Sequence, residues 1–193
     1  MSSKKDTRTH ILETTWKLLE AQPGKSLSMS KIAKTSGVSR QALYLHFTSR
    51  ADLLIATTRY VDEVKQLDEQ LAAVMQCTNG TDMLNAFVET WGNYIPQVYS
   101  VSKALMVTKD HDEDAAVAWR EIMGCLHELC DEICQKLYNE SRLAPDWLQQ
   151  AASDFLYTLV SIHNWEQLTQ ECDWSQEQYL QHVRHAASKS LLS

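Results

Sequence analysis

Side chains that can each make two hydrogen bonds to a base edge are concentrated in one short stretch, SGVSRQALYLHF, residues 36–47. Arg40 and Gln41 directly follow Ser39, at the start of a predicted short helix. Arginine can bridge O6 and N7 of guanine, and glutamine can bridge N6 and N7 of adenine, because each side chain presents two groups at the spacing of a base edge. The chemistry that these residues offer is recognition of bases in a DNA groove.

Two short helices separated by a glycine turn are predicted to position these side chains. Ser28 is the expected cap of the first helix, which ends at Gly37, where a positive φ costs a glycine little. Ser39 is the expected cap of the second helix, whose inward positions include Leu43 and Phe47. This arrangement is a helix-turn-helix, in which the second helix lies in the major groove and reads bases with its N-terminal residues.

The candidate DNA-binding residues form two groups. Ser39, Arg40 and Gln41 stand at the reading end, and Tyr44 follows one turn later, in a position suited to a thymine methyl or a phosphate. The other group suits phosphate oxygens, which fix the register of the protein without carrying sequence information. Its members are Ser28, Ser30, Lys31, Lys34, His46, Thr48 and Arg50.

Charge is distributed unevenly along the chain of 193 residues, whose net charge is −7. Residues 1–50 carry nine Lys/Arg and three Asp/Glu, whereas residues 51–193 carry nine Lys/Arg and 22 Asp/Glu. A basic N-terminal segment in an otherwise acidic chain is typical of a protein of which only one part binds a polyanion.

The run SMSKIAKTSGVSRQALYLHFTSRADLL, residues 28–54, resembles the DNA-binding region of the TetR family of bacterial transcriptional regulators. The resemblance implies an all-helical homodimer with an N-terminal three-helix DNA-binding domain, a connecting fourth helix and a C-terminal domain that binds a small molecule and dimerises. The departures are Thr15 and Ser36, where the family commonly has alanine, and Thr48, where it often has lysine. The resemblance rests on Ile32-Ala33, Gly37-Val38-Ser39, Leu43-Tyr44, His46-Phe47, Arg50 and Leu53-Leu54.

We therefore predict an all-α fold with a helix-turn-helix DNA-binding domain at 1–50 and a C-terminal ligand-binding and dimerisation domain at 51–193. A connecting helix is expected over about 50–75, and Ser49 with Asp52 three residues later resembles a capping box at its start. The apolar spacing also predicts helices over about 6–21, 81–95, 97–109, 112–138, 145–170 and 175–191. Pro23-Gly24 would stop the first of these, Pro96 would divide the second from the third, and Pro145 would lie in a first turn. Ser175 and Gln178 would form a capping box at the start of the last.

An effector site is predicted among the aromatic and apolar residues of the C-terminal domain, with two histidines as polar partners. Pockets in helical bundles are mostly apolar with a few converging polar groups, and this set would suit an aromatic or lipophilic effector. The alternative for each aromatic residue is ordinary core packing. The candidates are Trp91, Tyr94, Met106, Trp119, Met123, His127, Phe155, His163 and Trp165.

The last two predicted helices resemble the pair that the family uses to dimerise across a two-fold axis, although core packing within one subunit is an alternative. Two reading helices must meet successive major grooves, roughly 34–36 Å apart, so an inverted-repeat operator is expected. The candidate dimerisation residues are Leu148, Ala152, Phe155, Leu159, Ile162, Leu180, Val183, Ala187 and Leu191.

Other chemistry has less support in the sequence. His127, Cys130 and Cys134 place three soft donors on one helical face, as in a metal or thiol sensor, but structural zinc sites usually draw ligands from several elements, and no metal or cofactor is predicted. The sequence has no glycine-rich phosphate loop and no GxSxG, HExxH or CxxC motif, so neither an enzyme nor a catalytic residue is predicted. Five cysteines without a CxxC pair, and the absence of a signal peptide or an apolar span, favour the cytoplasm.

The sequence thus predicts a ligand-responsive repressor that binds double-stranded DNA at an inverted repeat as a homodimer and is released by a small effector. Two alternatives stay open. The protein could act as an activator or accessory protein without effector release. Alternatively, it could be a helical interaction module whose basic N-terminal segment binds an acidic protein instead of DNA.

Overall fold

A computed structural model describes residues 4–23, 25 and 27–193, and its architecture is all-α, as predicted. Gly24, part of the predicted stop of the first helix, lies outside the described residues. Across the described ranges, no helix combines the length and apolar character needed to cross a membrane. The helices are α1 (Lys4–Ala21), α2 (Met29–Thr35), α3 (Arg40–His46), α4 (Arg50–Lys65), α5 (Leu67–Met75), α6 (Gly80–Thr108), α7 (Glu113–Asn139), α8 (Gln149–Leu159), α9 (Ile162–Glu166) and α10 (Gln176–Leu191), with a π-helical turn at Gln167–Glu171 after α9.

Packing divides the chain into two compact units. The first contains Met1–Gln66 and Val98–Glu121, and the second contains Leu67–Gln97 and Ile122–Ser193. The long helices α6 and α7 therefore contribute to both units. The functional division at residue 50 stays a prediction.

In the first unit, α1 packs against α2 and α4, and α2 packs against α3. The core is closed by apolar side chains that recur at helical spacing, among them Ile11, Leu43, Phe47 and Leu53, each fully buried. Tyr60 adds a polar link between α4 and α1, because its hydroxyl donates to the Glu13 carboxylate at 3.0 Å. Through α2 and its buried side chains, α3 is held against the core of the first unit.

Thr15 and Ser36 show how this core accepts polar residues where the family commonly has alanine. Both side chains are buried, and each hydroxyl donates to the carbonyl four residues earlier, at 2.8 Å to Ile11 and 2.7 Å to Ile32. A buried hydroxyl that is hydrogen-bonded avoids most of its desolvation cost. The two departures are therefore compatible with the fold.

The predicted connecting helix to about residue 75 is wrong at Gln66. This residue has φ 54° and ψ 44°, in the left-handed region, and it separates α4 from α5. Its backbone N–H is directed to the carbonyls of Asp62 and Glu63, which closes the end of α4. Because neither glycine nor proline marks the break, the near-heptad apolar pattern continued through it without a signal.

The predicted division at Pro96 is also wrong, because α6 runs without interruption from Gly80 to Thr108. A proline has no N–H to donate to the carbonyl four residues earlier, which here belongs to Gly92. The Gln176 side-chain amide donates to that carbonyl at 2.9 Å and replaces the missing bond. The helix therefore continues through the proline with its backbone acceptor satisfied by another element.

The predicted helix over 145–170 is broken into α8, α9 and the π-helical turn. Pro145 lies before α8 rather than in its first turn, since α8 begins at Gln149. Ser161 caps α9 by accepting from the Asn164 N–H at 3.1 Å, and the Asn164 side chain donates to the Leu159 carbonyl at 2.7 Å. These local side-chain bonds offer the backbone an alternative to one continuous helix.

The final helix was predicted with its cap. Ser175 accepts from the Gln178 N–H at 3.1 Å, and the Gln178 side chain accepts from the Ser175 N–H at 2.8 Å. This reciprocal pair is the predicted capping box, and α10 begins directly after it.

Candidate nucleic-acid interface

Both helices of the predicted helix-turn-helix begin at the predicted caps. The Ser28 Oγ accepts from the Lys31 N–H at 3.2 Å, and the Ser39 Oγ accepts from the Ala42 N–H at 3.0 Å. A hydroxyl that accepts from the backbone keeps its own hydrogen to donate. The two caps can therefore order the helices and still donate to a phosphate oxygen.

The turn between α2 and α3 depends on Gly37. This residue has φ +67°, a conformation that other residues rarely adopt, and the following N–H, of Val38, donates back to the Ala33 carbonyl at 3.0 Å. Leu43 and Phe47 on α3 are fully buried, which fixes the face that the helix turns inward. The turn and the buried face together determine which side chains of α3 point outward.

The outward side chains include all of the predicted base readers. Arg40 and Gln41 are exposed in the first turn of α3, and Tyr44 is 40% exposed one turn later. The Arg40 guanidinium carbon lies 5.6 Å from the centroid of the Tyr44 ring, a cation–π contact that holds both side chains along the helix. Gln41 follows Arg40 in the same turn and is also exposed.

Leu45 also lies on the outward surface, and sequence analysis missed it. Its side chain is 75% exposed, although leucine is apolar and its neighbours on this surface are polar or aromatic. Its position was readable, since it follows Gln41 by four residues and falls outside the inward positions Leu43 and Phe47.

The candidate phosphate contacts differ in how available they are. Ser30 and Lys34 are exposed on α2, and His46 is half-buried against the Phe47 ring, at 6.3 Å between centroids. Arg50 is half-buried, and its Nε has no hydrogen-bond partner among the described residues. Because this Nε is itself buried, a phosphate contact by Arg50 would have to use the exposed part of its side chain.

Thr48 is the exception, because its donors are already used. Its backbone N–H and its hydroxyl both donate to Oδ2 of Asp52, at 2.7 and 3.1 Å. The predicted capping pair is present at the same corner, since the Asp52 N–H donates to the Ser49 Oγ at 3.0 Å. A phosphate contact through the Thr48 hydroxyl would have to break its bond to Asp52.

The effector candidates of the second unit are largely packed. Trp91 and Tyr94 are buried with ring centroids 5.6 Å apart, and the Trp91 indole donates to the Val160 carbonyl at 2.9 Å. Trp165 is buried, and its indole donates to the Gln176 side-chain oxygen at 2.9 Å. The indole N–H of each tryptophan is therefore already hydrogen-bonded within the protein.

The remaining effector candidates are spread more widely. Met123, His127 and Phe155 are half-buried, and His163 is exposed. Met106 and Trp119 belong to the first unit and are buried there. For the whole set, ligand contact stays a prediction.

A groove of about 1090 Å³ lies between α6 and α10 in the second unit. It is lined in part by Val88 and Leu180 and in part by Arg184, which donates to the Asn85 side-chain oxygen at 3.2 Å. None of the predicted effector residues lines this groove.

His127, Cys130 and Cys134 do not face one common site. His127 is engaged by the Asp154 carboxylate, at 2.9 Å from its Nε2, whereas both thiols are fully buried. Burial raises the pKa of Cys134 to about 11 and raises the pKa of Cys130 further above its usual range. Both sulfurs are therefore held as thiols near neutral pH, and in the part of the chain that the structure describes no group of three or more His, Cys, Asp or Glu is placed to hold a metal ion.

The nine predicted dimerisation residues differ in how deeply they are buried within the subunit. The five members with little exposed surface fit the alternative of core packing, and they are Ala152, Ile162, Val183, Ala187 and Leu191. The other four have surface to offer to a partner. Leu148 is 80% exposed, and Phe155, Leu159 and Leu180 are half-buried.

Comparison with known proteins agrees with this arrangement. Residues 11–57 match the family model of the bacterial regulatory proteins of the tetR family. A curated relative, the nucleoid occlusion factor SlmA of Marinomonas sp. strain MWYL1, is 41% identical over 64 residues, which make up 33% of this chain and 32% of SlmA. The chain covers between 32% and 48% of the length of the SlmA proteins that it matches.

Two solved structures share the fold over nearly the whole chain. A putative transcriptional regulator from Saccharomonospora viridis, in complex with choline, aligns with a TM-score of 0.83 at 17% identity, over 98% of this chain and 100% of that one. A TetR transcription regulator from Haloarcula marismortui aligns with a TM-score of 0.76 at 18% identity, over 98% and 100%. Residues 11–57 of this chain thus match the tetR family of bacterial regulatory proteins, and the chain as a whole has the fold of these two solved structures.

Proposed function

We propose that this protein is an effector-responsive repressor that binds an inverted-repeat DNA operator as a homodimer and reads it with α3. The observation that carries the proposal is the position of Gln41, exposed in the first turn of a helix that a serine cap and two buried side chains hold in place. A glutamine so placed can bridge N6 and N7 of adenine in the major groove. We assign base reading to Gln41 and Arg40.

Phosphate contacts would set the register of the protein on DNA. Lys34 and Ser30 are exposed on α2, Ser28 keeps a hydroxyl hydrogen to donate, and Arg50 is partly exposed at the start of α4. Each lysine or arginine that meets a phosphate releases counterions, so binding should weaken as salt rises. We assign no catalytic activity, and we place the protein in the cytoplasm, where DNA is accessible to it.

A two-fold dimer would bring two copies of α3 to successive major grooves, roughly 34–36 Å apart, which requires an inverted repeat. The proposed dimer surface uses Leu148, Phe155, Leu159 and Leu180, which keep exposed area in the single subunit. A symmetric interface uses the same surface twice, so these residues would meet their own copies or one another.

An effector would act by shifting the population of the dimer toward a form whose two copies of α3 no longer match the operator. The aromatic and apolar residues among the proposed effector residues favour an aromatic or lipophilic ligand. Choline is a second probe, because a neighbour in fold binds it and aromatic rings attract quaternary ammonium groups. By linkage, the operator must weaken effector binding by the same factor that the effector weakens operator binding.

Selection from a random duplex library tests the proposal. The wild-type protein should enrich an inverted repeat, and Gln41→Ala should enrich a sequence relaxed at one position of each half-site. Gln181→Ala is a matched control, because it removes an exposed glutamine on α10, outside the proposed DNA interface. This variant should enrich the same sequence as the wild-type protein. Failure of the wild-type protein to enrich any inverted repeat would refute the proposal.

A second candidate is a DNA-bound accessory protein that does not repress, since the curated relatives are nucleoid occlusion factors. A reporter gene placed behind the selected inverted repeat separates the two candidates. Repression when the protein is present supports the first candidate, and unchanged expression despite binding of the repeat supports the second.

A further inference from the structure

Leu45 is the apolar side chain that α3 presents outward. It is 75% exposed, whereas Leu43 and Phe47 of the same segment are fully buried. Leu45 therefore does not contribute to the core. Tyr44 is the other apolar surface on this side, but its ring is already in contact with the Arg40 guanidinium. Leu45 is therefore the outward residue of α3 whose whole side chain is hydrocarbon and is available to a partner.

Leu45 and Gln41 lie on one face of α3, because residues four apart are neighbours on a helix surface. Four residues correspond to about 6 Å along the helix axis. Successive base pairs are separated by about 3.4 Å along DNA. A helix that lies along the major groove with Gln41 on one base pair would place Leu45 within about two base pairs of it.

Among the groups that base edges present in the major groove, the thymine C5-methyl is the apolar one. A leucine placed against a phosphate or a polar base edge would remove water from that group without giving a hydrogen bond in return. We propose that Leu45 is a specificity-determining residue that packs on a thymine methyl within two base pairs of the adenine bridged by Gln41. This inference rests on the proposed function, since it requires α3 to lie in the major groove.

Deoxyuridine substitution tests this contact directly, because it removes the methyl group and leaves every hydrogen-bonding group of the base in place. In the duplex that the wild-type protein selects, each thymine is replaced in turn, at symmetric positions of both half-sites, and affinity is measured by fluorescence anisotropy. One pair of thymines near the Gln41 contact should be sensitive. Loss of one buried methyl should weaken binding about fourfold, and loss of both about fifteenfold.

Leu45→Ala should abolish this sensitivity, binding the thymine and deoxyuridine duplexes equally. Leu45→Met keeps an apolar side chain of similar size and should retain the sensitivity. Because the side chain is exposed, both variants should fold, and their thermal midpoints check this.

Two results would overturn the inference while the proposed function stands. In one, every deoxyuridine duplex binds as tightly as its parent, although Gln41→Ala still relaxes the selected sequence. In the other, Leu45→Ala keeps the full loss, which would assign the methyl contact to another residue. Failure of the wild-type protein to select any duplex would instead refute the proposed function itself.

Discussion

Replacement of Gln176 by alanine should destabilise the second unit, because this side chain satisfies two buried groups at once. Its amide nitrogen donates to the Gly92 carbonyl at 2.9 Å, and its amide oxygen accepts from the Trp165 indole at 2.9 Å. The Gly92 carbonyl lacks its usual helical partner because residue 96 is a proline. Gln176→Ala would remove both of these hydrogen bonds.

The magnitude follows from the cost of an unpaired buried group, about 1–3 kcal/mol each. Gln176 is itself half-buried, so water can reach part of the site and the total should fall at about 2–4 kcal/mol. For a chain of this size that corresponds to a fall in Tm of roughly 4–16 °C. This is a large share of the roughly 5–15 kcal/mol by which native proteins are stable.

A double-mutant cycle with Pro96→Ala isolates the backbone part of this effect. Alanine at residue 96 restores an N–H for the Gly92 carbonyl, so Gln176→Ala should cost about 1 kcal/mol less in that background. Free energies of unfolding are measured by urea titration for the wild-type protein, both single variants and the double variant. Gln181→Ala, an exposed glutamine on the same helix, should change stability by no more than about 0.5 kcal/mol.

Two outcomes would refute this reasoning. Gln176→Ala could unfold within about 0.5 kcal/mol of the wild-type protein, the range of an ordinary surface change. Alternatively, Gln176→Ala could cost the same with proline and with alanine at residue 96, which would mean that its amide does not replace the missing helical bond.

Three further predictions concern the DNA interface and the thiols. Gln41→Ala should cost about 1–3 kcal/mol on the selected operator and relax its sequence preference, and equal losses on operator and random duplexes by fluorescence anisotropy would refute base reading. Lys34→Ala should weaken binding evenly across sequences and reduce the slope of log affinity against log salt by about 1, whereas an unchanged slope would remove its phosphate contact. Iodoacetamide should modify the exposed Cys125 and Cys172 first at pH 8, whereas Cys134, which is fully buried and whose pKa burial raises to about 11, should stay unmodified in the folded protein; mass mapping of early modification at Cys134 would contradict this order.

Local signals explain what could be predicted from the sequence. Ser28, Ser39 and Ser175 each accept from a backbone N–H three residues later, a bond that requires no information beyond the segment itself. The role of Gly37 was equally predictable, because glycine readily adopts the positive φ that ends the first helix of the motif. The start of α3 and the exposure of Arg40, Gln41 and Tyr44 followed from these local rules, whereas the exposed Leu45 was missed.

Prediction failed where a distant contact or an unmarked backbone conformation determined the structure. Pro96 continues α6 because Gln176, distant in sequence, satisfies the Gly92 carbonyl, and Gln66 takes a left-handed conformation that no local residue type announced. The burial of the predicted dimerisation residues was also beyond what the sequence pattern could determine. Periodicity identifies an apolar face but does not distinguish the buried Val183 from the 80% exposed Leu148.

The central claim is that α3 reads DNA sequence from its first turn. The most direct test is the affinity of the wild-type protein for its selected inverted repeat and for a scrambled duplex of equal length and composition, measured at the same moderate salt concentration. Specific binding predicts a preference of at least about 10³-fold for the inverted repeat. Equal affinity for the two duplexes would contradict the account.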